Sequence, residues 1–302
     1  MPETFEELRP IAFAIAYRML GSVSEAEDVV QEGFLRLHRA MDEGQRIESP
    51  RAYLSTVVTR LAIDQLRSAR VRRETYVGEW LPEPLVTSPD EDPARHAEMA
   101  DSLSLAFLVV LESLSPEQRA VFLLREVFDY PYDRIAEIVG KNEDNVRQLA
   151  VRARRHVEER RSRFEASREQ RDELARRFLA ATEDGDLEAL EALLADDVVL
   201  HGDGGGKAPA LARALHGRAR VARTLLAWRR AAVRFGGARL RLVDVNGQPG
   251  AMVFDPEGKL INVMSLDIAD GQIQAVRSVV NPDKLRHLGP LADVGALLRR
   301  PG

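Results

Sequence analysis

Two side chains near the end of a predicted strand could perform acid–base chemistry. His201 and Asp203 alternate along the chain, so both lie on one side of an extended strand. An imidazole beside a carboxylate is an arrangement that general acid–base catalysts use. The same pair also occurs at strand ends as an ordinary structural hydrogen bond. The spacing therefore leaves a catalytic and a structural interpretation open.

A glycine-rich loop, Asp203-Gly204-Gly205-Gly206-Lys207, follows this strand. A phosphate-binding P-loop requires a Ser or Thr directly after its lysine, to supply a hydroxyl for Mg²⁺. Here Ala208 follows Lys207, which argues against a nucleotide site. Three consecutive glycines instead permit unusual backbone angles or the close approach of another chain segment.

The composition excludes several kinds of chemistry. The 302 residues include no cysteine and six histidines, which rules out disulfides, thiol nucleophiles and iron–sulfur clusters and fits a reducing cytoplasm. The histidines form no HExxH motif or other close ligand pair. We therefore expect no metal ion, no cofactor and a cytoplasmic location, and no apolar run is long enough to cross a membrane.

Arginine is concentrated in two stretches although the net charge is −5. Residues 51–73 hold six arginines against Asp64 alone, and residues 145–163 hold seven against two glutamates. Between them, residues 83–101 hold six acids against Arg95. Two basic helical stretches separated by an acidic one indicate two modules that face a polyanion.

Helical periodicity before residue 160 predicts the elements that position these side chains. The first helix spans 5–20, and capping boxes at Ser24/Glu27 and Ser115/Gln118 begin later helices. Gly140 ends a helix over 131–139 and Asn142 begins another. This arrangement predicts a helix-turn-helix. Its second helix exposes amide and guanidinium groups of the kind that read base edges.

The segment after residue 172 has a different pattern. Two short helices precede runs with strand character and a helix over 221–231, which predicts an α+β module. The Pro-rich, acidic residues 75–100 read as a linker, and its Trp80 is expected to dock on a neighbouring surface. The residues from about 290 read as a loose tail.

These motifs resemble a known family. AEDVVQEGFLRL (26–37), the Arg-rich segment 49–74 and the helix-turn-helix segment 114–157 resemble domains two and four of extracytoplasmic-function (group 4) sigma factors. The C-terminal module resembles a SnoaL-like (NTF2-like) domain. WLPEP (80–84), DGGGK (203–207) and NPDKL (281–285) together resemble the sigma-J-like subgroup, in which this domain is fused to the sigma factor.

The resemblance implies a multidomain fold. Two all-α sigma domains, the second a helix-turn-helix, would precede an α+β, cone-shaped SnoaL/NTF2-like domain with a curved mixed sheet. The expected boundaries are 1–74 for sigma domain two, 75–100 for the acidic linker, 101–160 for sigma domain four, 161–171 for a helical linker, 172–290 for the SnoaL-like domain and 291–302 for the tail.

The resemblance also implies transcription initiation rather than catalysis, with core RNA polymerase and promoter DNA as partners, no membrane contact and a monomeric free chain. An unidentified small ligand of the SnoaL-like domain is a further candidate partner. The implied polymerase-binding residues are Asp28, Gln31 and Glu32. The implied contacts to the −10 element are Arg46, Ser49, Arg51, Arg60, Asp64 and Arg67. The implied contacts to the −35 element are Asn145, Arg147, Gln148, Arg152 and Arg155.

The three short motifs are expected to form one regulatory contact between the linker and the C-terminal domain, with Glu83 available to pair with Lys207. Its residues are Trp80, Leu81, Pro82, Glu83, Pro84, Asp203, Gly204, Gly205, Gly206, Lys207, Asn281, Pro282, Asp283, Lys284 and Leu285. No catalytic residue is expected.

Two other interpretations stay open. The chain could be a one-component DNA-binding regulator whose C-terminal domain binds a small ligand. It could also be a SnoaL-type cyclase or isomerase that uses His201 or Asp203 and is fused to a helix-turn-helix.

Overall fold

The computed structural model describes residues 5–73, 76–87, 102–159 and 167–299. The acidic stretch 88–101, the linker residues 160–166 and the side chains of the arginine run 70–73 lie outside the described residues. Contacts divide the chain into two compact units. One takes in Met1–Thr75 and Leu108–Arg161, and the other takes in Tyr76–Phe107 and Ser162–Gly302.

The described elements before residue 160 are helical, apart from a two-residue strand in the linker. In chain order the helices are α1 Phe5–Leu20, α2 Val23–Asp42, α3 Pro50–Arg73, α4 Leu105–Glu112, α5 Pro116–Phe122, α6 Tyr132–Val139 and α7 Glu143–Glu158, with a π-helical turn at Leu123–Val127 between α5 and α6. Buried apolar residues of α5, α6 and α7 form one core, which includes Val121, Ile135 and Val146.

Local capping signals explain where several of these helices begin. Ser115 and Gln118 form the predicted capping box, and the Asn142 side chain accepts a hydrogen bond from the Asn145 amide at 2.9 Å. The predicted box at Ser24 is wrong. Ser22 is extended and its hydroxyl accepts from the Glu25 amide at 3.1 Å, because the chain has already left helical geometry at Gly21.

A buried arginine joins the two halves of the first unit. The Arg119 guanidinium donates to the carbonyl of Met19 at 2.6 Å, to the carbonyl of Leu111 at 2.9 Å and to the Glu112 carboxylate at 2.7 Å. Burial lowers the pKa of Arg119 to about 9. A buried charge requires such partners, so this side chain ties the end of α1 to α4 and α5.

The second unit combines helices with one sheet. Its elements are β1 Val86–Thr87, α8 Arg168–Asp184, α9 Leu187–Leu193, β2 Leu194–Asp203, β3 Leu215–His216, α10 Arg218–Val233, β4 Arg239–Val245, β5 Gln248–Phe254, β6 Leu260–Ala269, β7 Gln272–Val279, α11 Pro282–Leu285 and α12 Val294–Arg299. Helices α8, α9 and α10 bury Phe178, Leu190 and Leu225 in a common core with the sheet.

The sheet is mixed, with strand order β1-β4-β5-β6-β7-β2-β3. Strands β2 and β7 pair in parallel and the other neighbours pair antiparallel. The edge strand β1 comes from the linker, where Val86 pairs with Val245. The predicted fold class is confirmed: helical modules precede an α+β domain with a curved mixed sheet.

The predicted loose tail is wrong for the residues up to 299. The Leu260 amide donates to the Pro290 carbonyl at 2.8 Å, and the Ala292 amide donates to the Leu260 carbonyl at 2.9 Å. Helix α12 then buries Leu297. None of the helices in the described ranges is both long enough and apolar enough to span a membrane.

Candidate functional site

Helix α7 presents a polar surface on the outside of the helix-turn-helix. The residues predicted for the −35 element are all solvent-exposed on it: Asn145, Arg147, Gln148, Arg152 and Arg155. Arg147 pairs with Glu143 and lies 4.5 Å from the centre of the Tyr132 ring. Arg155 pairs with Glu159 at 3.0 Å. The opposite side of α7 is buried, so the helix is anchored while its cationic and amide groups face solvent.

Helix α2 carries an acidic surface. Asp28 and Gln31 are exposed, and the partly exposed Glu32 pairs with Arg36 at 2.8 Å. Positions i, i+3 and i+4 share one helix face. A shallow hollow of about 370 Å³ adjoins this face and includes Leu35, which is 46% exposed. The surface thus combines negative charge with exposed apolar area, which favours a protein partner over a phosphate backbone.

The residues predicted for the −10 element divide into two groups. Arg46, Ser49 and Arg51 are exposed around the start of α3. The Ser49 hydroxyl accepts from the Ala52 amide at 3.2 Å, so it caps α3. The second group is Arg60, Asp64 and Arg67, farther along α3.

Arg60 and Arg67 contact the helix-turn-helix half of the same unit. Arg60 donates to the carbonyls of Ile138 at 2.9 Å and Glu137 at 2.8 Å, in the last turn of α6. A cation at a helix C-terminus interacts favourably with the helix dipole. Arg67 pairs with Glu117 at 2.6 Å and with Asp64 at 3.2 Å. The hydrogen bond from Arg67 lowers the pKa of Glu117, so both arginines are engaged in the unit's own contacts.

The three short motifs meet at one place in the second unit, where Asp203, Asn281 and Lys284 hold residues 76–87. We call these three residues the linker seat and 76–87 the linker segment. Asp203 is fully buried and accepts from the Tyr76 hydroxyl at 2.5 Å and the Leu81 amide at 2.8 Å. The Asn281 amide donates to the Tyr76 oxygen at 2.8 Å. Burial, followed by the bond to Asp203, raises the pKa of Tyr76 well above its usual value.

Lys284 completes the linker seat. Its ammonium pairs with Asp203 at 2.7 Å and donates to the Leu81 carbonyl. It also lies 4.3 Å from the Trp80 ring centre and 4.9 Å from that of Tyr76. A cation over an aromatic face is attracted by the ring quadrupole, so one side chain neutralises the buried carboxylate and holds both rings. The next linker residues are also buried: Leu81, Pro82, Glu83 and Pro84.

The glycine triplet permits this close approach. Gly205 has φ +57°, and a Cβ there would overlap the Asn281 side chain. Gly206 has φ +70°, and a Cβ there would lie 3.1 Å from the Val77 Cβ. Lys207 pairs with Asp283 rather than with the expected Glu83, because Glu83 is buried whereas Lys207 lies on the surface. Pro282 and Leu285 belong to the short helix α11 that carries Lys284.

Asn246 is a linker contact that the sequence analysis missed. Its side-chain oxygen accepts from the Leu85 amide at 2.9 Å, and its amide donates to the Leu103 carbonyl at 2.9 Å. It has φ +55° in the turn between β4 and β5 and is buried. The Asn-Gly pair in the sequence predicts a hairpin turn at this position. It does not predict that the Asn246 side chain bonds residues 143 and 161 positions away.

The two candidate acid–base residues both contact the linker segment. His201 Nδ1 lies 2.6 Å from the Glu79 carboxylate, and Asp203 is part of the linker seat. Gly202, between them, lines a cavity in the domain core. Side chains alternate along a strand, so His201 and Asp203 face away from that cavity. The pair therefore contacts the linker segment and is not part of the cavity wall.

Comparison with known proteins identifies the modules that carry these surfaces. Family profiles match Sigma-70 region 2 at residues 4–72, Sigma-70 region 4 at residues 104–157 and a SnoaL-like domain at residues 175–280. The chain is 40% identical to the ECF RNA polymerase sigma factor SigJ of Mycobacterium tuberculosis, over 93% of this chain and 91% of that protein.

A second relative, the probable ECF RNA polymerase sigma factor SigI of the same species, is 36% identical over 90% of both chains. The crystal structure of Mycobacterium tuberculosis SigJ superposes with a TM-score of 0.76 at 37% identity, over 95% of this chain and 99% of that one. With similarity that spans both sigma regions and the fused domain, the chain belongs to the extracytoplasmic-function RNA polymerase sigma factors that carry a C-terminal SnoaL-like domain.

Proposed function

We propose that the chain directs core RNA polymerase to promoters through three surfaces. The acidic face of α2 binds polymerase, the start of α3 with Arg60, Asp64 and Arg67 engages the −10 element, and α7 reads the −35 element. The observation that carries the proposal is α7 itself, which exposes five amide and guanidinium side chains on a helix-turn-helix with a closed core. Such a helix is suited to the major groove.

The test is promoter selection in run-off transcription with core polymerase and templates that differ only in the −35 element. Gln148 is exposed near the start of α7, and an amide can make two hydrogen bonds to adenine. Gln148→Ala should reduce discrimination between preferred and altered −35 sequences by ~1–3 kcal/mol. Arg155→Ala is the matched control, because a phosphate contact should weaken every promoter about equally. An equal loss on all templates for Gln148→Ala would remove this residue from base recognition.

The contacts of Arg60 and Arg67 support a second feature of this proposal. In the free chain both donate to the helix-turn-helix half of the first unit. They cannot bind −10 DNA and keep these partners. When the promoter is bound, Arg60 and Arg67 therefore exchange their protein acceptors for DNA acceptors. The two halves of the first unit must separate when polymerase holds them at promoter spacing. The free chain should bind DNA weakly and gain affinity through the effective concentration that polymerase imposes.

We propose that the C-terminal domain regulates this sigma factor in cis and is not an enzyme. Asp203 and His201 already contact the linker segment, which supports a holding role over a catalytic one. Leu85, in the linker segment, and Leu103, just after the linker, are both bonded to Asn246. A linker held at both positions limits how far the helical modules that it joins can move apart.

Co-purification distinguishes this proposal from the one-component regulator. A sigma factor should form a stoichiometric complex with core polymerase, whereas a one-component regulator should bind its operator with unchanged affinity when polymerase is absent. Turnover of a small substrate that disappears in His201→Ala would instead favour the cyclase or isomerase interpretation.

A further inference from the structure

The C-terminal domain contains a partly open cavity that the proposed function does not use. It has a volume of about 590 Å³ and lies among α10, strands β4–β7 and α12. Its wall is mostly apolar and includes Leu225, Phe235, Val253 and Met264. This volume falls within the range of small-molecule sites, which are mainly apolar with a few placed polar groups.

Exposed apolar side chains surround the cavity. Trp228 is 37% exposed, Leu298 is 48% exposed and Val233 is 61% exposed, and all three line it. Two of them lie on α10 and Leu298 lies on α12. Clustered exposed apolar area marks a binding surface more often than single exposed residues do. These side chains therefore form an apolar rim through which an uncharged molecule could enter.

One polar pair is built into the wall. The Asn262 amide donates to the Ser278 hydroxyl at 2.7 Å, while the Asn262 side-chain oxygen is buried with no hydrogen-bond partner among the described residues. A buried polar atom without a partner is costly, and a ligand N–H or O–H would satisfy it. The charged residues of the wall are Glu183 and Arg229, one of each sign, which favours a neutral ligand.

The cavity wall is continuous with the linker seat. Gly202 and Val280 line the cavity, and the next residues are Asp203 and Asn281. The Asp203 main-chain oxygen accepts from the amides of Val280 at 2.8 Å and Asn281 at 2.9 Å. A molecule that moves these strand ends must also move the side chains that hold Tyr76 and Leu81. Packed interiors transmit such shifts because they have little free volume.

We propose that this cavity binds a neutral, largely apolar small molecule with a hydrogen-bond donor for Asn262, and that its occupancy alters the hold of the linker seat on the linker segment. The regulatory part rests on the proposed function. The binding part stands on the cavity alone.

Binding is tested on the purified full chain with N-phenyl-1-naphthylamine, a neutral apolar fluorophore with one N–H group. We expect saturable binding of one molecule per chain. Ala232→Phe places a ring in the cavity and should abolish binding, whereas Ala180→Phe, on the exposed side of α8, should not. Ala238→Phe is a second cavity-filling variant, and circular dichroism checks that each variant is folded. Absence of saturable binding, or normal binding by both folded cavity-filling variants, would overturn the proposal.

The role of Asn262 is tested with the N-methyl derivative of the same fluorophore, which lacks the donor. The parent chain should bind the N–H form about fivefold more tightly, the usual effect of one neutral hydrogen bond. Asn262→Leu should bind the two forms equally. A parent chain that does not distinguish the two forms would refute the assigned hydrogen bond.

Transmission to the linker is tested with the two tryptophans of the chain. Trp228→Phe leaves Trp80 in the linker segment as the one reporter. Because Trp228 lines the cavity, displacement of N-phenyl-1-naphthylamine by 1-decanol in this variant first establishes that its cavity still binds. Saturation with 1-decanol, which is neutral and does not absorb, should change acrylamide quenching of Trp80, and Ala232→Phe in the same background should remove the change. Unchanged quenching at saturation would overturn the transmission. Because polymerase is absent, failure here is distinct from failure of the sigma-factor function, which run-off transcription measures.

Discussion

Lys284 is the residue on which the hold on the linker depends most directly. It is 7% exposed, pairs with the fully buried Asp203 and lies against the rings of Trp80 and Tyr76. A buried ion pair adds little net stability, because desolvation offsets the attraction, but removing one partner leaves an uncompensated charge. The linker seat is therefore sensitive to single substitutions even though the pair itself contributes modestly.

Lys284→Met should lower the free energy of unfolding of the second unit by ~3–5 kcal/mol, because the Asp203 carboxylate stays buried without its cation. Adding Asp203→Asn should recover part of this loss. Urea unfolding, followed by Trp80 emission in a Trp228→Phe background, measures both effects.

Lys259→Met is the matched control for this prediction. Lys259 is on the surface and pairs with Glu257 at 2.8 Å, with both side chains about half exposed. Exposed pairs contribute ~0–1 kcal/mol. If Lys284→Met costs no more than Lys259→Met, the buried pair does not hold the linker.

On helix α2, the side that packs in the core is separate from the side that we propose binds polymerase. Its buried side, including Val30 and Leu37, packs in the first unit, and its outer side carries Asp28, Gln31 and Glu32. Acidic side chains repel phosphate, so this surface suits a protein rather than DNA. Because the two sides are separate, the outer charges can be reversed without disturbing the core.

Asp28→Lys combined with Glu32→Lys should abolish the pull-down of core polymerase while circular dichroism and the melting temperature stay near those of the parent. Both side chains are at the surface, so the main loss is complementarity to the partner. The exposed Glu32–Arg36 pair is lost as well, which should cost ~0–1 kcal/mol. The double variant Asp42→Lys, Glu43→Lys makes the same charge change at the end of α2 and should still bind. Retention of polymerase by the folded Asp28/Glu32 variant would contradict the assignment.

At the scale of the whole molecule, the linker is the element through which the C-terminal domain can act. The linker segment lies in the linker seat, β1 pairs with β4, and Asn246 bonds both Leu85 and Leu103. When a segment such as β1 adds to the edge of a sheet, main-chain hydrogen bonds with the neighbouring strand provide much of the affinity. The domain thus holds the chain that connects the two helical modules.

Asn246→Ala and Gly205→Val should each raise the amount of transcript without moving its start site, because they free the linker and leave α3 and α7 unchanged. A side chain at Gly205 would overlap Asn281 and would also have to adopt φ +57°. Primer extension on in vitro transcripts gives amount and start site together. Lys259→Met serves as the control on the same domain. Parental transcript levels from both linker variants would refute regulation through the linker.

Many elements of both units could be predicted from the sequence because their signals are local, whereas β1 in the linker and α12 in the expected tail could not. Ser115 and Asn142 begin helices, Gly140 ends one, and partly alternating runs bounded by Gly, Asn and Asp mark strands β4 to β7. Each signal depends on residues within one or two turns. The outward-facing residues of α2 and α7 could also be predicted from the sequence. Helix periodicity decides which side chains face solvent and which face the core.

The sequence by itself determined the family, the order of the modules and the identity of the motifs that meet at the linker. Only the tertiary structure decided the pairings: Asp203 with Leu81 and Lys284, Arg60 with the end of α6, and Lys207 with Asp283. These partners are 76 to 122 residues apart. Local spacing carries no information on which donor meets which acceptor, because that choice depends on how packed elements exclude water and bring buried polar groups together.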